Sequence, residues 1–512
     1  MKKIVIVGGG TAGLLTAGLM HKFWDDNVQI TLIFDHKNAS IGVGESTTPI
    51  IHKVIDLLGL DELDLIEKLG TTAKLGVNFK DWIPGTEYFH GFVEVEGRRD
   101  STNFIEIRED ETSAIYSIMN DEFNGGPHFN KAVNNVPHED FNKYAHALHI
   151  DTQKFADLFL KDLQGKIEII DDVVERVRVN PECNEISHIE CKKSGIINAD
   201  FFVDCTGFAC VLFKHLNPEW VDTSSVLPVD RAIPQQVPNN TGEIPAYTLA
   251  QATENGWIWR LPIGDRFGTG YLYSSKFTSD EEAREKYDTW LNENLGARLE
   301  TDRIIKYRPG YYKEYWIGNC MAVGLSAGFI EPLESTSIQI ISTQIYYFLV
   351  FNSALNNLRH TRDHVNNHQR QIFEECVKFL SLHYSTGRTD SEFWRYVTKN
   401  KIQWVKDFEE KCRSEFIDAG LFDNKKNVPW GFNSYVQVAY GHNLFNKDNI
   451  SKYLKMKPNG QAILDNAERM FDHEQEWREE SVDDWVPHKQ VIESNTPLID
   501  AANYARYGSH KY

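Results

Sequence analysis

Apolar and polar positions predict that strands and helices alternate along the first part of the chain. Ile4–Val7 is a short apolar run typical of a buried strand, and Leu14–Phe23 has the pattern of a helix. Val28–Phe34 predicts a second strand, and further strand-like segments cover residues 167–179 and Phe201–Phe208. This order of elements indicates an α/β fold.

The pattern changes after Leu355, where helical segments replace the alternating strands. Helices are predicted around residues 363–383, 391–417 and 460–480. An aromatic loop is predicted at Trp430–Tyr435. We therefore divide the chain into a core over residues 1–354 and a mainly helical part over residues 355–512.

A glycine-rich turn joins the first predicted strand to the first predicted helix. Gly8, Gly10 and Gly13 form the pattern G-x-G-x-x-G, with Thr11 and Ala12 inside it. The first glycine permits the tight bend, the second lets a pyrophosphate approach the backbone, and the third lets helix and strand pack closely. The N–H groups at the helix start attract the anion. This context predicts a bound dinucleotide, and the alternative is a structural turn without a ligand.

Two segments after this turn are further candidates for cofactor contacts. Asp35 follows the second strand, where an acid can hydrogen-bond an adenosine ribose, and an ordinary turn residue is the alternative. Gly42, Val43, Gly44 and Glu45 come next, and two glycines one residue apart let the backbone approach a planar ring system. A plain glycine loop also explains the second segment.

Composition narrows the classes of partner. The 512-residue chain has a net charge of −20, which argues against nucleic acid or an anionic membrane surface. The most apolar later segment, Ile338–Phe351, contains several polar residues and is shorter than the ~20 residues that span a bilayer. The seven cysteines form no C-x-x-C pair, and the 18 histidines have no metal-ligand spacing. We expect a reduced, cytoplasmic protein without a metal.

Three features are candidates for substrate chemistry. Lys74 lies among small and apolar residues, where partial loss of solvent favours the neutral amine, although most lysines are surface residues. The aromatic side chains of Tyr88–Phe92 can stack on a planar substrate or fill the core. Trp257 and Trp259 lie on one face of a predicted strand, where they line a tunnel or pack in the core.

The segment around residue 335 is a candidate anion site. A predicted strand over residues 319–323 runs into a glycine turn, and a helix follows. Ser335 and Thr336 are common residue types at a helix N-terminus, where backbone N–H groups attract small anions. A capped helix without a ligand is the alternative.

Together these segments resemble the flavin-dependent tryptophan-type halogenases. The matching motifs, in the order of the family, are Gly8–Gly13, Gly42–Glu45, Ala73-Lys74, Gly256–Pro262 and Phe329–Thr336. The Trp-x-Trp-x-Leu-Pro motif is specific, because related flavin monooxygenases lack it. The resemblance extends to the aromatic segment near residue 430 and covers most of the chain.

The resemblance implies a fold and a reaction. The fold is an FAD-binding three-layer α/β fold of the glutathione-reductase or PHBH-like type, with an added mainly helical substrate-binding part. Reduced FAD, supplied by a separate flavin reductase, reacts with dioxygen and a halide ion to make hypohalous acid. That oxidant passes through a tunnel walled by Trp257 and Trp259, so that an electron-rich aromatic substrate stays away from the flavin.

The resemblance also implies roles for single residues. Lys74 matches the catalytic lysine that holds hypohalous acid or forms a haloamine, and Glu334 matches the glutamate that polarises the oxidant. The halide positions are Thr336 and Ser337. The substrate-binding positions are His90, Phe92, Trp430 and Tyr435. The FAD-binding positions are Gly8, Gly10, Thr11, Ala12, Gly13, Asp35, Val43, Gly44, Glu45, Val174, Leu325, Ser335 and Ile338.

The sequence departs from the family pattern at three places. Ser337 stands where the family commonly has glycine, which predicts a reshaped halide site and makes bromide and iodide candidates beside chloride. Ser434 replaces one of two tyrosines that hold an amino-acid backbone, so free tryptophan is a weaker candidate than another indole, a phenol or another electron-rich arene. Phe34 stands where the family often has an acid, which leaves that work to Asp35.

Two other functions compete with halogenation. A flavin monooxygenase that hydroxylates an aromatic substrate shares the dinucleotide fingerprint but leaves Lys74 and residues 257–262 unexplained. A flavin-binding protein without catalysis requires Lys74 or Glu334 to be solvated. A homo-oligomer is compatible with each of these functions.

Overall fold

The chain folds into two compact units, each made of three stretches of sequence. The computed structural model describes residues 1–37, 44–60, 69–92, 135–137, 146–356, 358–414, 430–456, 458–462, 465 and 485–487. Unit 1 comprises Met1–Leu69, Ile150–Ser224 and Tyr307–Glu374. Unit 2 comprises Gly70–His149, Ser225–Lys306 and Glu375–Tyr512. Within the described part of the chain, none of the helices combines the length and apolarity that crossing a bilayer requires.

Strands and helices are numbered along the chain. The strands are β1 Lys2–Val7, β2 Val28–Phe34, β3 Glu45–Ser46, β4 Thr72–Lys74, β5 Gly76–Lys80, β6 Glu87–Gly91, β7 Asn135–Pro137, β8 Ala147–Ile150, β9 Glu168–Asp171, β10 Val174–Asn180, β11 Glu185–Cys191, β12 Gly195–Ile197, β13 Phe201–Asp204, β14 Trp220–Asp222, β15 Arg231–Pro238, β16 Thr248–Ala252, β17 Gly256–Ile263, β18 Arg266–Tyr273, β19 Ile305–Lys306, β20 Gly310–Tyr312, β21 Trp316–Ile317, β22 Cys320–Ala322, β23 Gly328–Phe329 and β24 Trp485–Pro487. The helices are α1 Thr11–Trp24, α2 Ile50–Leu58, α3 Thr152–Leu163, α4 Asp280–Leu295, α5 Ser337–Phe351, α6 Arg359–His383, α7 Glu392–Lys399, α8 Gln403–Ser414, α9 Phe432–Gly441 and α10 Lys447–Met456.

Unit 1 is built on a mostly parallel sheet with the strand order β21-β22-β13-β1-β2-β9. All neighbours pair in parallel except β21, which runs antiparallel to β22. Ile4, Val5 and Ile6 of β1 are fully buried, as expected for a central parallel strand that is covered on both faces. Helix α1 packs against α3 and α5. Strands β10, β11 and β12 form a second, antiparallel sheet in this unit.

Unit 2 is built on a seven-stranded sheet with the order β19-β15-β18-β17-β16-β5-β6. Its neighbours are antiparallel except for the parallel pair β5 and β16. Strand β4 pairs antiparallel with β8, which places Lys74 opposite Ala147. Strand β24 pairs with β7. Lys74 and both tryptophans of the Trp-x-Trp motif therefore belong to the strands of this unit.

Most predicted elements of the core are confirmed, and the C-terminal predictions need corrections. The single helix predicted over residues 391–417 is two helices, α7 and α8. Helix α7 ends because Asn400 lies in a non-helical conformation and its side-chain amide donates to the Tyr396 carbonyl. The predicted aromatic loop at Trp430–Tyr435 is mostly wrong, since α9 begins at Phe432. Most of the helix predicted around residues 460–480 lies outside the described residues.

Candidate active site

The turn between β1 and α1 has the geometry that the three glycines predict. Gly8 has φ +118°, and a Cβ on it would lie 2.2 Å from the Cys205 carbonyl oxygen. A Cβ on Gly13 would lie 1.8 Å from the Gly8 carbonyl oxygen, so side chains are excluded at both positions. A Cβ on Gly10 would meet no described atom within 4 Å. Gly10 precedes α1 without a side-chain capping bond, which leaves the helix start receptive to an anion.

Glu45 contributes a buried acceptor beside this turn. Its Oε1 accepts a hydrogen bond from the Thr11 hydroxyl, 3.3 Å away. Its Oε2 is shielded from solvent and has no hydrogen-bond partner among the described residues. Burial raises the pKa of the Glu45 carboxyl to about 7, and the Thr11 hydrogen bond acts in the opposite direction. An unsatisfied buried carboxyl next to a dinucleotide turn fits a cofactor that brings a hydrogen-bond donor.

The remaining cofactor positions of the N-terminal half lie at strand ends. Asp35 follows β2, and its carboxylate accepts from the Lys37 backbone N–H, 3.0 Å away. Gly44 precedes β3 with φ +86°, a conformation that favours glycine. Val174 begins β10 and lines a surface cleft. Val43 lies outside the described residues.

A second glycine turn of unit 1 packs against the start of α1. Gly324 has φ +64°, and a Cβ on it would lie 2.9 Å from the Ala12 Cβ. Leu325 follows Gly324 in a short 3₁₀ turn and is half-buried. The structure therefore brings the turn that carries Leu325 next to Ala12, although the two are far apart in sequence.

The start of α5 carries the predicted halide residues Thr336 and Ser337, and the residue before them has an unusual backbone conformation. Ser335 is buried and has φ +61°, in the left-handed region that non-glycine residues rarely adopt. Thr336 precedes α5 without a side-chain capping bond, and Ser337 is the first helical residue. Glu334 and Ile338, on either side, are buried. The backbone N–H groups at this helix start lack a side-chain cap, and the start is therefore suited to a small anion.

Asp204 organises the turns at the end of β13, a role that the sequence analysis did not assign. Its Oδ1 accepts from the Thr206 N–H (3.0 Å) and from the hydroxyls of Thr206 (2.6 Å) and Ser326 (3.1 Å). Its Oδ2 accepts from the N–H groups of Leu212 (2.7 Å) and Phe213 (2.8 Å). The available signal is the Asp-x-Thr-Gly sequence after a buried strand, which places an acid where a turn begins.

Lys74 lies at the end of β4 in unit 2 and is completely buried. Its relative exposure is 0%, and its Nζ lies 4.9 Å from the centroid of the Phe92 ring. The Phe92 N–H donates to the Leu75 carbonyl at 3.2 Å, which holds the ring next to the lysine. Two residues that the sequence assigns to catalysis and to substrate binding are thus in contact.

Buried hydrogen bonds hold the strand that carries Lys74. The Thr72 hydroxyl donates to the Pro262 carbonyl (2.9 Å) and lies 3.0 Å from His149 Nδ1. Because its single proton goes to Pro262, this hydroxyl accepts from His149 Nδ1–H. His149 Nε2 lies 2.9 Å from the Thr248 hydroxyl, which completes the chain of bonds. Pro262 ends the Trp-x-Trp-x-Leu-Pro motif, so this motif also supports β4.

Trp257 and Trp259 lie side by side on β17, as the two-residue spacing predicts. Their ring centroids are 6.4 Å apart at an interplanar angle of 64°. Trp257 is buried, and Trp259 is half-buried across Gly270. A Cβ on Gly270 would come within 2.0 Å of the Trp259 ring, so the glycine makes room for the indole.

The predicted substrate residues His90, Trp430 and Tyr435 meet on one ring that the sequence analysis missed. Phe379 of α6 lies 5.5 Å from His90, 4.4 Å from Trp430 and 4.9 Å from Tyr435 between ring centroids. All four side chains are buried. The pattern of α6 marks Phe379 as a core position and gives no local signal for a substrate site. We call Phe379 and the three residues around it the aromatic cluster.

Comparisons with known proteins identify the class to which this fold belongs. A family model described as tryptophan halogenase matches residues 3–458. The chain is 32% identical over 423 residues to tryptophan 6-halogenase SttH of Streptomyces toxytricini, covering 77% of this chain and 80% of that protein. It is 30% identical over 419 residues to tryptophan 7-halogenase RebH of Lentzea aerocolonigenes, covering 77% of this chain and 78% of that protein.

Solved structures give the same result for the fold. The crystal structure of SttH matches with a TM-score of 0.81 at 26% identity, over 97% of this chain and 100% of that one. BrvH, a flavin-dependent halogenase from Brevundimonas sp. BAL3, matches with a TM-score of 0.76 at 26% identity, over 97% and 99%. The predicted fold class is confirmed, and the class of enzyme is flavin-dependent halogenase. The chain belongs to the tryptophan halogenase family.

Proposed function

We propose that this enzyme uses reduced FAD, dioxygen and a halide to halogenate an electron-rich aromatic substrate of the indole or phenol type. The observation that carries the proposal is the burial of Lys74 next to the Phe92 ring. An ammonium group is rarely placed in such surroundings for stability alone, because removal from water is costly. An amine held in a dry site beside an aromatic ring is suited to direct a small oxidant onto an aromatic carbon.

Residues of unit 1 would hold the cofactor. The backbone of Gly8–Gly13 and the start of α1 would bind the pyrophosphate, and the unsatisfied Oε2 of Glu45 would accept a hydrogen bond from the cofactor. Asp35, Gly44, Val174, Leu325, Ser335 and Ile338 are proposed as further FAD contacts, and Val43 stays a prediction from the sequence. When bound and reduced, FAD would supply two electrons to dioxygen, and the oxygen activated in this way would oxidise the halide to hypohalous acid.

The start of α5 would hold the halide. Its N–H groups are free of a side-chain cap at Thr336, and Ser337 places a hydroxymethyl group at the first helical position. Ser337 is helical, so serine fits the backbone conformation at this position. Compared with the glycine that is common in the family, its side chain therefore changes the space that is available to the anion. We therefore propose that the site accepts bromide or iodide beside chloride.

Lys74 and Glu334 would carry the transfer of the halogen. Lys74 would hold hypohalous acid through its ammonium or amine group and aim it at one ring carbon, and Glu334 would polarise the oxidant. Trp257 and Trp259 would line the passage by which the oxidant reaches Lys74. His90, Phe92, Trp430 and Tyr435 would contact the aromatic substrate. A separate flavin reductase would deliver reduced FAD.

Halide dependence tests this function. The protein is supplied with a flavin reductase, NADH, FAD, dioxygen and a panel of indoles and phenols, with chloride, bromide, iodide or no halide. The expected result is a halogenated product, identified by mass spectrometry, that forms only with halide. A hydroxylated product that forms without halide would instead establish the monooxygenase function. A strong preference for chloride in competition would refute the proposed effect of Ser337.

A further inference from the structure

Phe379 already covers the aromatic surfaces that the proposed function assigns to a substrate. Its ring lies 4.4 Å from Trp430 at an interplanar angle of 31°, close to an offset stack. It meets Tyr435 at 4.9 Å and 68°, and His90 at 5.5 Å and 60°. The exposed fraction of Phe379 is 0%. The face of Trp430 that is turned toward α6 is therefore occupied by the protein itself.

Contacts within α6 and with β5 fix the position of Phe379. His383, one helical turn later on α6, donates from Nδ1 to the Phe379 carbonyl at 3.0 Å, and the two rings lie 4.9 Å apart at 87°. His383 is fully buried and packs 4.7 Å from Phe79 of β5. Phe79 is itself stacked on Tyr88 at 4.8 Å and 7°. Because buried aromatic side chains pack around it in this way, the Phe379 ring is not free to rotate out of the cluster.

We propose that Phe379 is a specificity-determining residue that forms one wall of the substrate site at the aromatic cluster. Its ring limits this site to substrates with one aromatic ring, such as phenols and anilines, in preference to the fused rings of indole. This inference rests on the proposed function, because it takes His90, Trp430 and Tyr435 as substrate contacts. The physical reason is volume: a stacked ligand cannot share the face of Trp430 that the Phe379 ring covers.

Measurements of binding and of bromination on the same variant test whether Phe379 determines specificity. In Phe379→Leu the ring is replaced by a smaller side chain, and a control variant, Phe393→Leu, changes a buried phenylalanine of α7 that contacts Trp394 and Phe277. Binding of phenol and of indole is measured by calorimetry on the full-length protein without halide, and bromination of both is measured in competition. We expect the ratio of indole to phenol affinity, and the ratio of their products, to rise at least tenfold in Phe379→Leu and to stay unchanged in Phe393→Leu.

The outcomes separate this inference from the proposed function. Affinity ratios that shift without any brominated product support the wall and refute halogenation. Bromination with unchanged ratios in Phe379→Leu supports halogenation and refutes the wall. Binding of neither arene to the wild type or to the variant overturns the inference as well. Should Phe379→Leu fail to fold, Phe379→Met replaces the rigid ring with a narrower, flexible side chain that can leave the face of Trp430. The same rise in the indole ratio is then expected.

Discussion

The cofactor turn of unit 1 and the aromatic cluster of unit 2 are built in opposite ways. The turn uses consecutive residues, and its function depends on backbone: Gly8 and Gly13 leave room for other backbone atoms, and Gly10 leaves room for a ligand. The cluster uses side chains from β6, α6, α9 and Trp430, which precedes α9, and they meet through long-range packing. A site made of backbone tolerates almost no change at its glycines, whereas a site made of side chains can change its specificity one residue at a time.

The largest effect is expected at Gly8. In Gly8→Ala, the new Cβ would lie 2.2 Å from the Cys205 carbonyl oxygen at φ +118°, so the turn cannot keep its shape. We expect the variant to lose bound FAD, or to fail to fold, as measured by flavin absorbance and thermal unfolding. Gly10→Ala is the matched control, because its Cβ meets no described atom. Its thermal unfolding should match that of the wild type, but its affinity for FAD should be at least tenfold lower. An unchanged FAD affinity would mean that the pyrophosphate binds elsewhere.

A smaller effect is expected at Thr72, which supports the strand of Lys74. Thr72→Val leaves the Pro262 carbonyl and His149 Nδ1–H without this partner, at a cost of about 1–3 kcal/mol in the free energy of unfolding. We expect kcat for bromination to fall about tenfold with little change in KM, because the lysine is less well aimed. The exposed Thr289→Val should change neither. An equal fall in both variants would contradict the role of Thr72.

The pH dependence of stability should reveal Glu45. Burial favours the neutral carboxyl and raises its pKa to about 7 in the folded protein, from the ordinary value of 4.5. The folded state therefore binds the proton more tightly than the unfolded state, and this stabilisation is present at low pH and lost as pH rises through about 7. Without FAD, the Tm of the wild type should fall relative to the Tm of Glu45→Gln between about pH 5 and pH 8. The pKa values of the carboxyl in the unfolded and folded states set this range. Parallel curves for the two proteins would show that Glu45 is not shielded.

The smallest effect is expected at Ser335, which tests backbone strain at the halide segment. Glycine adopts φ +61° more readily than serine but loses more backbone entropy on folding, so Ser335→Gly should change the free energy of unfolding by less than about 1 kcal/mol. Ser335→Val places a β-branched residue in the left-handed region and should cost at least about 1–2 kcal/mol. Denaturant unfolding of both variants measures the difference. Equal stability of the two would contradict the left-handed conformation.

The sequence predicts the strand, turn and helix at the start of unit 1 well because their signals are local. The β1 strand, the glycine turn and α1 are encoded within Lys2–Trp24, where apolar runs and glycine spacing act over a few residues. Two short apolar runs predict β1 and β13 as buried strands, but their pairing across about 200 residues has no local signal. The resemblance to the halogenases adds the roles of residues that no local pattern distinguishes.

Features that depend on distant contacts could not be predicted. His149 supports β4 only because Thr72 and Thr248 flank it in space, and Phe379 joins the aromatic cluster only after α6 has packed. Aromatic residues and asparagine are weak helix formers and predict a loop at residues 430–435, whereas α9 begins at Phe432. Buried packing of Tyr435 and Val436 overrides that weak propensity.

A direct test of the account measures FAD affinity and bromination together in Lys74→Ala. The account predicts that FAD binds as tightly as in the wild type and that brominated product falls at least a hundredfold, since Lys74 belongs to unit 2 and acts after the oxidant is formed. Lys80→Ala, an exposed lysine at the end of β5, should keep both properties. Bromination by Lys74→Ala at the wild-type rate would contradict the account.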